Sequence, residues 1–290
     1  MIVVKIGLNL LCLSGHITDA ELPQIAHAKS AGFDGVEIPI FDGDDAHYHA
    51  LGQKIADIGL ECTASTALPD GEHAAGLLSD SAATRAFARE RMKSIIDSTA
   101  ALGASLVCGP MVAAVGYFTG SSRTLEEWDR AVAAHKLLAQ HASDAGVILS
   151  FEPLNRFETY FANTMEDGAA LALAVDHPSF RILYDTFHAN IEAKDPVAAY
   201  DLVRDHIGNI HIAENDRGIP GQGHIDFAVI FKKLHETNYE GWMTVEAFSQ
   251  SLPELAAATR IWRPLYKDFE TLATESYKFV SEGWATANQA

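Results

Sequence analysis

Apolar residues along this 290-residue chain follow two alternating patterns. Short β-rich runs occur at 3–10, 35–40, 60–65, 105–110, 147–153, 181–186, 207–214 and 242–248. Longer stretches with helical spacing fill the gaps. "TDAELPQIAHAKSAG" opens on a Thr or Asp cap, while "ATRAFARERMKSIIDSTAALG" and "LEEWDRAVAAHKLLAQHASDAG" stop at glycine, as helix C-termini often do. Small turns such as "AGFDG", "LGAS", "DAGV" and "NYEG" lead back into the next strand, and the segment from Pro253 to Val280 predicts the eighth helix. Regular strand-then-helix alternation predicts a parallel sheet. Eight units with no Pro/Ser-rich linker favour closure, so the expectation is an α/β chain, 1–290, forming a single (β/α)8 TIM barrel domain.

Composition narrows the class. The formal net charge is -18, from 39 acidic and 21 basic residues, which disfavours binding to nucleic acid or to an anionic membrane. The apolar N-terminus is interrupted by Lys5 and Asn9, so it predicts a first strand rather than a signal peptide. No apolar run approaches the roughly 20 residues needed to span a bilayer. Cys12, Cys62 and Cys108 each lie in an apolar, strand-like segment and read as buried thiols of a reducing cytosol. The expected location is the cytoplasm.

A barrel of this type carries its active site at the C-terminal ends of its strands. There the fifth strand ends at Glu152, the sixth at Asp185, the seventh carries His211 and the eighth Glu246. Neighbouring strands lie about 4.8 Å apart, so four groups on consecutive strands converge on one point. Three carboxylates held together repel by about 4 kcal/mol per pair at ~4 Å and an effective dielectric near 20. A divalent cation answers that repulsion, and three carboxylates with one imidazole suit Mn²⁺, Mg²⁺ or Co²⁺ better than a thiolate zinc site.

Other polar residues crowd the same rim. Glu158, His188 and Arg217 read as functional because they follow presumed ligands on three strands; Arg156 and Glu192 read as a salt-bridged loop support. Asn190, Glu214 and Asn215 lie nearby. The "GIPGQG" loop is a weak phosphate signal, because Asp226 is placed to cap the next helix; with the acidic balance this favours an uncharged polyol. His47 and His49 diverge on a helix and read as surface residues. Trp262 and Arg263 are equally consistent with a pocket wall and with core packing plus a salt bridge.

"EPLNRFETYFANT", "DTFHANIEAKD", "IHIAENDRGIPGQGHIDF" and "TVEAF" together resemble the ketose 3-epimerases of the xylose-isomerase-like barrel superfamily, typified by D-tagatose and D-allulose (psicose) 3-epimerases. The motifs span roughly 150–250; the first half of the chain matches only in its βα pattern. The resemblance implies a divalent metal, most often manganese, on Glu152, Asp185, His211 and Glu246. It implies Glu152 and Glu246 as the acid/base pair, and Glu158, His188 and Arg217 as hydrogen-bond partners of the O1 to O3 end of a ketose. It also implies a homodimer or homotetramer. The sequence departs from the pattern at Ala189 and Ala193, and the loop "GPMVAAVGYFTG" lacks the Trp that some members place against the far end of the sugar.

The implied chemistry is C3 epimerisation. A Lewis acid at the carbonyl stabilises the developing enediolate, one carboxylate removes the C3 proton and another returns it on the opposite face. Competing expectations on the same scaffold are an aldose–ketose isomerase such as hydroxypyruvate isomerase, an inosose dehydratase, an abasic-site endonuclease and a non-catalytic sugar-binding protein. The endonuclease fits poorly with the acidic composition and the absence of a larger His-rich cluster.

Overall fold

The computed structural model describes residues 4–250 and 252–287. Eight parallel strands close into a barrel in sequence order: β1 (Lys5–Asn9), β2 (Gly35–Pro39), β3 (Glu61–Ser65), β4 (Leu106–Gly109), β5 (Ile148–Phe151), β6 (Phe180–Asp185), β7 (Ile207–Ile212) and β8 (Trp242–Val245). The seam is β1 against β8, with Lys5 opposite Trp242 and Leu8 opposite Val245. The expected first strand begins at Val3, outside the described residues. Several strands are shorter than the apolar runs predict, and Glu152 after β5 and Glu246 after β8 line the mouth.

Helices pack around the barrel: α1 (Leu22–Ala31), α2 (Asp45–Ile58), α3 (Ala82–Ala101), α4 (Leu125–Asp144), α5 (Met165–Val175), α6 (Thr186–Glu192), α7 (Pro196–Val203), α8 (Phe227–Glu236), α9 (Pro253–Thr259) and α10 (Phe269–Ala287). Local chemistry starts them. Thr124 with Glu127, and Thr164 with Asp167, form reciprocal capping boxes on α4 and α5. The single terminal helix expected over Pro253–Val280 is instead two. Arg260 takes a left-handed backbone at φ 61°, and Pro264 disfavours helix at the residue before it, so the chain breaks between α9 and α10. Among the described residues, no helix is long and apolar enough to cross a membrane.

One close approach shapes the floor of the mouth. Gly109 ends β4 at φ 134°, and a Cβ there would lie 2.0 Å from the Thr66 carbonyl oxygen. Only glycine lets β4 turn against the loop after β3.

The buried residues of α4 recur at helical spacing: Ala131, Ala134, His135, Leu138, Ala139 and Ala142. His135 is therefore placed in an apolar stripe, with Nδ1–H donating to the Ala131 carbonyl at 2.8 Å and the ring packed on Phe151 and Phe180. Burial pulls its imidazole down to about 4. The unfolded chain takes up this proton near pH 6.5 and the folded one not until about pH 4. Stability should therefore fall by about 3 kcal/mol through that window and not change above it. Urea melts across pH 4–7 check this: His135→Phe should flatten the acid limb, whatever its stability at pH 7.

Candidate active site

The four expected ligands meet. Glu152 follows β5, Asp185 closes β6, His211 lies on β7 and Glu246 follows β8, and one ligand atom from each falls within 4.8 Å of the others. All four are buried. The β6–β7 register sets Asp185 directly against His211. Asp185 divides its oxygens between two tasks. Oδ1 accepts the His188 N–H at 2.9 Å and so caps α6, while Oδ2 turns inward, 3.7 Å from His211 Nδ1 and 3.6 Å from Arg217 Nη1.

Asp185 Oδ2 and His211 Nδ1 are buried with no hydrogen-bond partner among the described residues. With the His211 Nε2–H directed at Glu37, both facing atoms are acceptors, ringed by further carboxylates, which is what a cation site requires and what a purely structural network avoids. The donor set of three carboxylates and one imidazole fits a divalent ion such as Mn²⁺, Mg²⁺ or Co²⁺. The cluster is a candidate metal site.

Electrostatics separates the two flanking glutamates. Burial raises Glu152, opposed in part by His188, whose Nε2 lies 3.4 Å from Glu152 Oε1. Burial acts on Glu246 as well, but Arg217 and His211 outweigh it and hold that carboxyl below its ordinary range. Asp185 is also lowered, with His188, His211 and Arg217 overcoming burial. His211 is raised well above its ordinary value despite burial, by Glu37 and Glu246.

Arg217 is held in a strained backbone at φ 65°, an uncommon conformation for a side chain of this size. Its guanidinium lies between Phe187 and Phe248, 3.8 Å and 4.9 Å from the ring centroids, and pairs with Glu246. The Phe248 N–H donates to its carbonyl at 3.0 Å and fixes the loop. His188 Nδ1 accepts the Asn155 backbone N–H at 3.0 Å, which places the ring proton on Nε2. That nitrogen lies 3.2 Å from Arg217 Nη2, so the two present adjacent donors to one acceptor oxygen. Glu158 is half-buried and accepts from Asn155 Nδ2 at 2.9 Å.

The chain's similarities agree with this constellation. Residues 25–265 match the family described as xylose isomerase-like TIM barrel. An L-ribulose 3-epimerase of Mesorhizobium japonicum is 34% identical over 289 residues, covering 98% of this chain and 96% of its own. A solved L-ribulose 3-epimerase superposes with a TM-score of 0.92 at 32% identity, over 99% and 96% of the two chains. A D-allulose 3-epimerase from Methylomonas sp., solved in complex with D-allulose, gives 0.89 at 30% identity over 97% and 98%. The chain belongs to the ketose 3-epimerases of this barrel family.

In this epimerase the cavity over the cluster measures about 110 Å³. Glu158, His188 and Arg217 line it with Glu152, His211 and Glu246, and Leu11, Phe41, Val115, Leu154 and Leu255 add an apolar wall. α9 supplies that wall where Trp262 was one expectation. Trp262 is 68% exposed and is neither core nor pocket lining. Arg263 makes the salt bridge of the alternative reading, 3.0 Å from Asp216. Arg156 and Glu192 pair at 2.8 Å and brace the loop after β5. Asp226 caps α8 through the Val229 N–H. His49 is exposed, while half-buried His47 stacks on His16 at 4.6 Å. None of the cysteines forms a disulfide, and burial pushes Cys12 and Cys62 up to about 12.

Glu214 organises the loop after β7. Its carboxylate accepts from the backbone of Asn215 at 2.9 Å, Gly221 at 2.8 Å and Ile225 at 3.2 Å, and its carbonyl accepts the Arg217 N–H. Glu214→Gln turns one acceptor into a donor facing an N–H. A loss of about 2 kcal/mol is expected in urea denaturation, and a clearly smaller one for Arg156→Ala, whose guanidinium is solvent-exposed.

Sequence reasoning missed Glu37, Asn9 and Cys108. All three are buried beneath His211. The available signal was an acid in the middle of "GVEIP", a strand buried at every position.

Proposed function

We propose that the protein catalyses divalent-cation-dependent epimerisation of free ketoses at C3. The observation that carries this reading is the placement of Glu152 and Glu246 on strands that flank Asp185 and His211, so that two carboxylates address one cavity from different sides. Epimerisation requires that arrangement, because the proton must leave one face of C3 and return to the other.

Glu152, Asp185, His211 and Glu246 would hold the cation. When bound, it supplies Lewis-acid charge for the oxygen that becomes negative as the C3 proton departs, and Mn²⁺ is the ion we favour. Glu152 and Glu246 exchange the roles of base and acid between the two directions of the reaction. Arg217 holds Glu246 in place and, with His188 and Glu158, hydrogen-bonds the O1 to O3 end of the sugar. The Arg217–His188 donor pair fits a carbonyl or hydroxyl oxygen.

The substrate class follows from the lining. Among the described residues around the cavity, Arg217 is the one Lys or Arg, and its charge is taken up by Glu246 and Asp185. This supports an uncharged ketose over a sugar phosphate. The small volume and apolar wall support a ketopentose of the L-ribulose type or a ketohexose such as D-fructose, D-tagatose or D-allulose; relatives named for L-ribulose and D-allulose agree.

Metal-loaded protein incubated with a panel of ketopentoses and ketohexoses in D₂O should place deuterium at C3 of both epimers by NMR. An aldose product would assign an isomerase instead, and loss of water a dehydratase.

A further inference from the structure

Beneath the proposed metal site lies a fourth carboxylate that the chemistry above does not use. Glu37 sits mid-strand in β2, fully buried in the barrel interior, and among the described residues no lysine or arginine pairs with it. Such a charge is costly to bury unless donors surround it. Four do. Oε1 takes His211 Nε2 at 2.9 Å and Asn9 Nδ2 at 2.9 Å; Oε2 takes Thr63 Oγ1 at 3.2 Å and Cys108 Sγ at 3.3 Å. The β1–β2–β3 register makes this possible by setting Asn9, Glu37 and Thr63 side by side.

Two of these contacts lead upward into the site. A His211 ring that gives its Nε2 proton to Glu37 turns the Nδ1 lone pair toward Asp185 and Glu246, 3.7 Å and 3.4 Å away. Asn9 is oriented by its own backbone neighbour: its Oδ1 accepts the Leu11 N–H at 2.8 Å, so Nδ2 must face the carboxylates. That single NH₂ reaches both Glu37 Oε1 and Glu246 Oε1, the latter at 3.2 Å.

We propose that Glu37 is a positioning residue for both sides of the reaction centre: it fixes the His211 tautomer that faces the cation and, through Asn9, holds the Glu246 carboxylate in place for proton transfer. The assignment rests on the divalent-cation reading of the four-residue cluster. Outer carboxylates on metal-bound imidazoles commonly change metal affinity by about 10–100-fold.

The test compares the full-length wild type with Glu37→Gln, an isosteric change that Thr63 and Cys108 accommodate by turning their hydrogens. Calorimetric titration of the stripped proteins with Mn²⁺ should give one site per chain, weakened about 10–100-fold in the variant. The visible absorption of the Co²⁺-loaded forms should shift, because the imidazole ligand is no longer held by an anion. Asn9→Ala separates the second arm, with Mn²⁺ affinity kept within about threefold but kcat lowered about tenfold at unchanged KM.

A Glu37→Gln protein that binds Mn²⁺ within twofold of wild type, with the same Co²⁺ spectrum, overturns the proposal. So does a second Mn²⁺ equivalent lost in the variant, which would make Glu37, Cys108 and His211 ligands in their own right. Wild-type kcat in Asn9→Ala removes the Glu246 arm. A wild type that takes up no divalent ion fails differently, because it withdraws the metal reading itself.

Discussion

Glu152→Gln and Glu246→Gln should each lose at least about 10³-fold in ketose epimerisation, the upper part of the range that a positioned acid or base contributes. The amide keeps the size of the side chain and one oxygen, so folding should survive, but neither variant can accept the C3 proton at that position. The two losses should also differ in kind. In one variant the enzyme retains a base for only one of the two C3 epimers, and in the other variant for the opposite epimer. Solvent deuterium should therefore enter different epimers in the two proteins, slowly and without inversion. NMR of each purified epimer incubated separately in D₂O reads this directly. Epimerisation at the wild-type rate in either variant would remove that glutamate from the chemistry.

Removal of divalent ions should be as severe. Dialysis against a chelator is expected to abolish turnover, with Mn²⁺, Co²⁺ or Mg²⁺ restoring it, and to lower thermal stability. Carboxylates within 4.8 Å of one another repel by at least about 3 kcal/mol per pair at an effective dielectric near 20. Arg217 answers only part of this, through Glu246 and Asp185. A cation present at about 1,000 times its Kd adds about 4 kcal/mol, or roughly 5–10 °C in Tm for a chain of this size. Calorimetric melts with and without Mn²⁺ check the shift. Undiminished activity after chelation, with metal content verified, would eliminate the Lewis acid from the proposed mechanism.

Much of this was present in the order of residues. Eight apolar runs separated by capped helical patterns specify eight βα units, because strand and helix burial impose different periods on the same chain. Glu152, Asp185, His211 and Glu246 were legible because each stands where an apolar run stops or turns polar, and in a barrel those positions share one end. The Asp226 cap was legible as a local pairing at a helix start, whereas the Arg156–Glu192 brace joins the segments that follow two neighbouring strands, β5 and β6.

The misses have physical causes of their own. The helix expected over Pro253–Val280 reads as continuous in apolar spacing, and the break comes from backbone geometry at Arg260 and the proline that follows. Trp262 is apolar enough for a wall, yet solvent faces it, because α9 reached the cavity first. Arg217 stood out as a charge near a ligand, but its left-handed backbone and its place between two rings depend on Phe187 and Phe248, from two other strand ends.

By itself, then, the chain's pattern determined the closed βα architecture and the four groups at its mouth, since both follow from periodicity and from where each apolar run ends. Only the tertiary structure decided what lies beneath them. Glu37, Asn9 and Cys108 come from the first half of the chain, and His211 and Glu246 from the second. Asn9 and Glu246 are brought together because β1 pairs with β8, a contact between the two ends of the sequence that no local spacing encodes.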